Sequence, residues 1–449
     1  MSNLETIVSI STPMGTGALS VIRCSGKSIL TIIKILFGKK LVPRRAQYLN
    51  IKRNNAVLDD VVAIYYVGPK SFTGEDMLEI MCHGGPVMYQ LIINEILKIK
   101  NCRLAIAGEF SERAFLNDKM SILEAESICA LINAKTEEAA LAARESLSGK
   151  ITQDLFQIDA LILQTRIQVE ALLDFSEEDI ETDGLKTIES HIKNCKEEIL
   201  VLIKRLEKNK LLFETSKVAV IGKPNTGKSS LINFLTEEDV SIVNKQAGTT
   251  RDVVSKMFSL NGIPVTIFDT AGIRETSDSV EKEGKEKALN QAASANIILY
   301  LYDVTIGIDN DDMKILDSLK KINKNILIIA NKIDLVTKNT FLETKKNNVE
   351  KNLFISIKEN INMDQLRSEI LEYLKLVISD SSSGIYHIKQ VKHLKAAYKE
   401  INDIEVSLIE LEIIAEKLKQ TQENISMILD NSDDDRVLSG IFSNFCIGK

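Results

Sequence analysis

The spacing of apolar residues changes character along the chain. Over the first ninety residues, short apolar runs such as 61–67 and 78–82 alternate with Gly/Pro turns such as Gly84-Gly85-Pro86. Runs of that length bounded by turn residues predict strands. This part reads as a compact α/β or β-rich domain ending near Asn117-Asp118. Residues 119–211 contain no proline and only two glycines, Gly149 and Gly184. Ala, Leu, Glu and Lys dominate there, and Ile158, Leu161, Ile162, Thr165 and Val169 recur on one helical face. Residues 386–429 have the same helical character.

Between these stretches, residues 217–374 alternate strand-length apolar runs with polar helical segments. Such alternation predicts a mostly parallel sheet. Asn261-Gly262, between two of the runs, predicts a tight hairpin turn. It adds two antiparallel strands to an otherwise parallel sheet. Helical sequence on both sides predicts that the α/β unit interrupts a helical domain, with breaks at 214–216 and in the Ser/Asp/Gly loop 379–384. The expected organisation is an N-terminal α+β domain at 1–118, a helical domain in two parts at 119–213 and 380–449, and an inserted α/β domain at 214–379. The fold class is thus multidomain, α/β plus all-α.

The length, 449 residues, suits roughly three domains of about 100–200 residues each. The opening MSNLETIVSISTPMGTG lacks a basic segment followed by an apolar core, so no signal peptide is expected. No apolar run approaches the about 18 residues of a membrane span, and no membrane association is expected. Six cysteines (24, 82, 102, 129, 195, 446) form no Cys-x-x-Cys pair, and the four histidines do not cluster with them. That argues against zinc or a disulfide framework and suits a reducing cytoplasm. The net charge of −7 argues against nucleic-acid binding over the whole surface. It leaves room for a local basic patch; Arg44-Arg45 and Lys52-Arg53 are pairs of the kind usually just solvated.

The candidate chemistry lies in the α/β segment. The run KVAVIG leads into Gly222-Lys223-Pro224-Asn225-Thr226-Gly227-Lys228-Ser229, and SSLINFL follows with helical character. Strand, G-x-x-x-x-G-K-S and helix together make a phosphate-binding loop, in which backbone N–H groups and a helix N-terminus face the phosphates. Lys228 is placed at the β- and γ-phosphates and Ser229 at magnesium. Gly248-Thr249-Thr250 lies on a polar segment downstream, and Thr250 is assigned to complete the magnesium shell. Asp269-Thr270-Ala271-Gly272 and Asn331-Lys332-Ile333-Asp334 each end an apolar run. Asp334 can accept from the N1–H and 2-amino groups of guanine, which selects GTP over ATP. Ser356-Ile357-Lys358 completes the base pocket.

Ile273 follows the Asp-x-x-Gly motif, so no glutamine is available there to orient the attacking water. Two substitutes are visible. The amide of Asn225 can hold a monovalent cation beside the β/γ bridge, acting as an arginine finger does. Alternatively, a carboxylate among Glu275, Asp278, Glu281 and Glu283 can reach back to the water. The residues alone do not choose between them.

Several longer motifs accompany these: FTGEDMLE (72–79), HGGP (83–86), GEFSERAFLNDK (108–119), GTTRD (248–252), DTAGIRE (269–275) and a terminal FCIGK (445–449). Together they resemble the MnmE (TrmE) family of tRNA modification GTPases along the whole chain. The turn Pro13-Met14-Gly15-Thr16-Gly17 departs from the family, which often has a second proline and an arginine there. The resemblance implies a homodimer whose GTP hydrolysis is activated by potassium when two G domains meet. It implies GTP contacts from 225–230, 244–250, 269–272, Asn331, Lys332, Asp334 and 356–358, which include Ser230, Lys245, Gln246, Ala247 and Gly248. Potassium ligands are implied at Asn225, Asn244, Gln246 and Thr249, and the water-positioning carboxylate at Glu281. The N-terminal domain is implied to bind a 5,10-methylene- or 5-formyl-tetrahydrofolate through Arg23, Glu79, Lys119 and Lys449. With MnmG, a flavoprotein carrying FAD, the family modifies carbon 5 of wobble uridine in tRNA. Cys446 reads equally as a nucleophile or base and as an inert buried thiol. A ribosome-assembly GTPase would need a basic RNA-binding appendage, which the acidic Asp433-Asp434-Asp435 end argues against. A purely structural G protein would leave the N-terminal motifs without a purpose.

Overall fold

The computed structural model describes residues 5–53, 56–174, 182–237, 255–269, 292–322, 325–336, 352–380, 388–405, 411–429, 442, 445 and 448. Backbone packing divides the chain into two units, 1–129 with 427–449, and 130–426.

The first unit contains β1 (Thr6–Ile10), β2 (Leu19–Ser25), α1 (Ile29–Phe37), β3 (Gln47–Arg53), β4 (Ala56–Tyr66), β5 (Met77–His83), α2 (Pro86–Leu97), β6 (Cys102–Leu104) and α3 (Glu109–Leu116). The six strands form one sheet in the order β3-β4-β5-β2-β1-β6. Pairing is antiparallel except between β1 and β6. Apolar residues at alternate positions, such as Val61, Ala63 and Tyr65, turn one face of the sheet toward α1 and α2. In α1, Ile29, Ile32, Ile33 and Leu36 have the spacing of a single buried stripe. The helix stops at Gly38, whose φ of 66° places it in the left-handed C-cap conformation. Because side chains alternate, the register Arg23↔Glu79↔Ile64 lies on the face opposite the two helices. The C-terminal segment packs on this unit. The Phe442 ring lies 6.3 Å from Phe115 and 5.6 Å from Phe445, and Ser11 Oγ donates to the Gly448 carbonyl at 3.0 Å.

Helix α4 (Ile122–Asn133) leads into the second unit. Next come α5 (Glu137–Leu147), α6 (Lys150–Asp174), α7 (Thr182–Phe213), β7 (Ser216–Ile221), α8 (Lys228–Glu237), β8 (Ser255–Leu260), β9 (Ile263–Asp269), β10 (Ile297–Asp303), α9 (Asn310–Ile322), β11 (Ile326–Asn331) and β12 (Asn352–Phe354). Helices α10 (Met363–Asp380), α11 (Ile388–Asn402) and α12 (Leu411–Leu429) follow. In α6, Ile158, Ile162, Thr165 and Val169 are buried, as their spacing predicts.

The second sheet has the order β12-β11-β10-β7-β9-β8. All seven residues of β10 are buried, as expected of a central strand covered on both faces. One face packs on Leu231, Ile232 and Leu235 of α8 and Leu366, Ile370 and Leu374 of α10. The other packs on Leu316 and Leu319 of α9. The hairpin at Asn261-Gly262 is present, but only β8 runs against the sheet, because β9 pairs in parallel with β7. A hairpin reverses its two strands relative to each other, so one of them must follow the sheet. Among the described residues, no helix is long and apolar enough to cross a membrane.

Gly108 has φ 72°, and a Cβ there would fall 2.2 Å from the Phe442 carbonyl oxygen. Gly38 has a similar φ of 66°, but its Cβ would meet nothing within 4 Å. Gly108→Ala is therefore expected to destabilise the protein more than Gly38→Ala, by about 1–3 kcal/mol from the overlap alone. Urea unfolding followed by circular dichroism measures it. Equal midpoints for the two variants would mean that the Phe442 backbone does not press on this position.

Candidate functional site

The phosphate-binding loop runs from the end of β7 at Ile221 to the start of α8 at Lys228. Its glycines are set by close approach. A Cβ on Gly222 would lie 2.1 Å from the Leu301 carbonyl oxygen, and one on Gly227, at φ 102°, would lie 2.4 Å from Asn331 Nδ2. Asn225 adopts a left-handed φ of 63° and is exposed at the crest. The buried Lys228 folds back over the loop, its Nζ donating to the carbonyls of Gly222 at 2.7 Å and Lys223 at 2.6 Å. Thr226 Oγ1 also donates to Lys223 O, at 2.9 Å. Ser229 and Ser230 are exposed in the first turn of α8, where the helix dipole favours an anion.

The residues expected to form the base pocket meet this loop through Asn331, which is 4% exposed. Its Nδ2 donates to Thr226 O at 2.9 Å, and its Oδ1 accepts from Ile357 N at 3.3 Å. One side chain thus joins the phosphate loop to the 356–358 loop. Ser356 Oγ donates to Asp334 Oδ1 at 2.5 Å, which fixes how that carboxylate faces. Lys332 stands in the left-handed region at φ 69°, with Nζ 2.6 Å from Asp303 Oδ2. Asp303 also accepts from Thr305 N at 2.9 Å and Oγ1 at 2.7 Å. Burial alone raises the Asp303 carboxyl pKa, but Lys332 and the Thr305 donors outweigh it and hold it below the usual range. Lys358 is exposed beside the pocket. The Asp269 backbone ends β9 beside Val220 of β7, so the Asp-x-x-Gly motif starts next to the phosphate loop. All these groups leave the C-terminal ends of adjacent strands, where open α/β sheets bind ligands.

Asn244, Lys245, Gln246, Ala247, Gly248, Thr249, Thr250, Thr270, Ala271, Gly272, Ile273, Glu275, Asp278, Glu281 and Glu283 lie outside the described residues, as do Cys446 and Lys449. Sequence reasoning missed two anchors. Lys223 Nζ pairs with Asp309 Oδ2 at 2.5 Å and Asp312 Oδ2 at 3.2 Å, and the buried Tyr300 hydroxyl donates to Asp312 Oδ1 at 2.6 Å. Burial, then Asp312, raises the Tyr300 pKa, keeping it a donor. The Asp303–Lys332 pair is the second. Only the acidic end of the apolar run 297–303 hinted at it.

In the first unit, the structure brings Arg23 and Glu79 together. Arg23 Nε and Nη2 donate to Glu79 Oε1 at 3.0 and 2.8 Å, and Tyr66 OH donates to Oε2 at 3.2 Å. The guanidinium lies 5.1 Å from the Phe72 ring centroid and 5.9 Å from that of Phe110. Lys119 packs on the Gly74 turn, where a Cβ on the glycine would be 3.2 Å from its Cγ; it makes no bond to the Arg23–Glu79 pair. Behind these groups, Arg113 bonds Glu75 at 3.0 Å and Glu109 at 2.9 Å, and Arg103 bonds Glu109 at 2.6 Å. Burial pushes the Cys82 thiol up to about 11 and the Cys195 thiol up to about 12, so neither is a ready nucleophile. Among the described residues, no cluster of three metal-ligating side chains occurs.

A phosphate loop joined to an Asn-Lys-x-Asp pocket at the edge of a parallel sheet defines a GTP-binding protein of the P-loop class. Residues 6–119 match the family model described as GTP-binding protein TrmE N-terminus, and residues 122–446 match that of the MnmE helical domain. The tRNA modification GTPase MnmE of Nitrosomonas eutropha is 34% identical over 455 residues, covering 100% of each chain. That of Actinobacillus pleuropneumoniae is 36% identical over 452 residues, covering 99% of this chain and 100% of its own. The chain belongs to the MnmE (TrmE) family of tRNA modification GTPases. A crystal structure of Aquifex aeolicus Era bound to GDP and AlF4⁻ is 33% identical, covers 36% of this chain and 57% of that one, and has a TM-score of 0.30.

Asn331→Ala removes a donor and an acceptor and leaves Thr226 O and Ile357 N to find new partners. Unsatisfied groups of this kind cost about 1–3 kcal/mol, so GTP affinity is expected to fall roughly 5- to 150-fold by the same figure. Titration with a fluorescent guanine nucleotide reads it. Wild-type affinity would mean that the two loops hold together without Asn331.

Proposed function

We propose that this protein is a magnesium-dependent, potassium-activated GTPase that modifies wobble uridine 34 in tRNA. It acts as a homodimer with a flavoprotein partner of the MnmG type, which carries FAD. A tetrahydrofolate supplies one carbon toward an aminomethyl-type (carboxymethylaminomethyl) group at carbon 5. GTP is hydrolysed when the two G domains meet. The proposed division of labour is 1–118 for folate binding and dimerisation, 214–379 for GTP, and 119–213 with 380–449 as the helical domain carrying the terminal Phe445-Cys446-Ile447-Gly448-Lys449.

The observation that carries the nucleotide reading is the Asn331 bridge between Thr226 and Ile357, with Asp334 oriented by Ser356 in the same pocket. In this reading Asp334 accepts from the guanine N1–H and 2-amino groups, and the 2.5 Å bond from Ser356, which keeps its carboxylate from turning away, supports that role. Gly222 and Gly227 keep open a cradle that a Cβ would fill, which fits a phosphate chain. Lys228 takes the β- and γ-phosphates by exchanging its two backbone acceptors for phosphate oxygens.

The oxygen donors suit the two ions. The exposed hydroxyl of Ser229, with Thr250, would hold magnesium. The exposed amide of Asn225, with Asn244, Gln246 and Thr249, would hold potassium, and Glu281 would position the water. Potassium supplies positive charge where negative charge develops, as an arginine finger does. In the first unit, Arg23 is held against the buried Phe110 ring and the partly exposed Phe72 ring, a cation beside an accessible aromatic edge that fits a planar pterin. Tyr66, Glu79, Lys119 and Lys449 supply the remaining polar contacts.

Cells lacking the protein are expected to carry wobble uridines without the modification, read by mass spectrometry of tRNA nucleosides. An unchanged nucleoside profile would refute the tRNA reading. In purified protein, GTP turnover is expected to be clearly faster in potassium than in sodium. Asn225→Ala is expected to abolish that difference and to leave nucleotide affinity within a few-fold of wild type. Equal wild-type turnover in both salts would remove the ion from the mechanism.

A further inference from the structure

The chain is acidic overall, with 63 Asp and Glu against 56 Lys and Arg. Yet no acid occurs between Glu5 and Asp59, a run that holds nine Lys and Arg. Only Arg23 among the nine is committed to the opposite face of the sheet, by its pair with Glu79. The other eight are exposed. Charge segregated in this way along a negatively charged chain points to an anionic partner for this unit.

Two of the nine, Lys34 on α1 and Arg53 at the end of β3, lie beside one groove, whose own lysines, Lys98 and Lys100, fall outside the run. Helix α1 buries Ile29, Ile32, Ile33 and Leu36 and turns Thr31, Lys34 and Ile35 outward. Facing them, past the end of α2, are Lys98, Lys100 and Asn101. The open groove between has a volume of about 550 Å³, and Glu95 is the only carboxylate among its lining residues. That carboxylate is already shared: Lys98 Nζ lies 2.7 Å away and Arg53 Nε 3.1 Å. Arg53 is thereby drawn to the rim from the far end of β3. Two cations share one anion, and Lys100 adds a third charge, so the groove is net positive.

The kind of anion follows from the lining. Lysines, Ser28, Thr31 and Asn101 are hydrogen-bond donors to phosphate and sugar oxygens. No aromatic side chain lines the groove, so it offers no platform on which to stack a base. The chemistry matches a ribose-phosphate backbone and not a particular nucleotide sequence. We propose that this groove and its cationic rim bind the phosphodiester backbone of the tRNA substrate. The proposal rests on the reading of the protein as a tRNA-modifying enzyme. The groove opens on the helix-covered face, away from Arg23 and Glu79, so it anchors the body of the RNA and leaves the reacting uridine to another part of the complex.

The test uses the full-length protein and a fluorescent unmodified tRNA, with anisotropy followed over a range of sodium chloride. Lys98→Glu/Lys100→Glu and, as a milder pair, Lys34→Gln/Lys100→Gln are compared with wild type. Both double variants are expected to bind more weakly, the first by at least tenfold at low salt. The slope of log affinity against log salt should fall by roughly 1–2, as for the loss of two phosphate contacts. Circular dichroism and GTP turnover should match wild type, since none of these residues belongs to the nucleotide site. Wild-type affinity and slope in both variants would overturn the proposal while leaving the tRNA reading intact. Displacement of tRNA by polyglutamate as readily as by bulk RNA would also overturn it, in favour of an acidic polypeptide. Failure of the wild-type protein to bind tRNA would overturn it too, and nucleoside analysis would then judge the modification reading separately.

Discussion

The nucleotide site depends on how closely the Gly222–Lys228 loop can approach its neighbours. At Gly227 the loop lies against the Asn331 amide, and at Gly222 it lies against the β10 backbone. That closeness lets one buried amide bond Thr226 and Ile357 at once. A buried amide left without partners is costly, so the two loops are held in a single relation to each other. The distance between the proposed phosphate loop and the proposed base pocket is thus set by the protein itself. Lys223 reinforces the arrangement from the outside by its pairs with Asp309 and Asp312.

The same constraint explains why this part of the fold was legible in the sequence. Close approach demands glycine at fixed positions, and the turn from strand to helix fixes the spacing of Lys228 and Ser229, so the physics leaves a local pattern. Asn331 and Asp334 are likewise three residues apart because both leave the end of one strand. The hairpin at Asn261-Gly262 was equally visible as a turn. Which of its strands would follow the sheet was not, since that depends on the pairing of β9 with β7, nearly fifty residues earlier (Ser216↔Val265).

What the sequence could not display are the ion pairs made across the fold. Arg23 and Glu79 are 56 positions apart and meet because β2 and β5 are in register. Lys223 and Asp309 are 86 apart. Arg113, Glu75, Glu109 and Arg103 come from α3, the 71–76 turn and the end of β6. Each residue by itself reads as a solvated charge, and only the packed sheet brings the partners together. The resemblance singled out Arg23 and Glu79 without indicating that they bond each other. Their pairing changes what they can do: the guanidinium is held against the rings of Phe72 and Phe110, and Glu79 is already engaged by both Arg23 and Tyr66.

Thr136 extends the argument from the site to the helices around it. Its hydroxyl oxygen accepts from Ala139 N at 3.1 Å, capping α5, and its proton goes to the Gly262 carbonyl at 2.8 Å. A capping hydroxyl is worth about 1 kcal/mol to its helix. Here the same group also holds the tip of the β8–β9 hairpin. Glu138 packs over that tip so closely that a Cβ on Gly262 would lie 2.9 Å from its Cγ. Ala139 shares a core with Phe258, Leu260 and Ile263. A shift of the hairpin therefore disturbs the first turn of α5 directly, through a hydrogen bond and an apolar contact and not through solvent. The hairpin in turn ends at Asp269, where the Asp-x-x-Gly motif begins. The helical part and the nucleotide edge of the sheet are thus joined by a short, continuous path of packed residues.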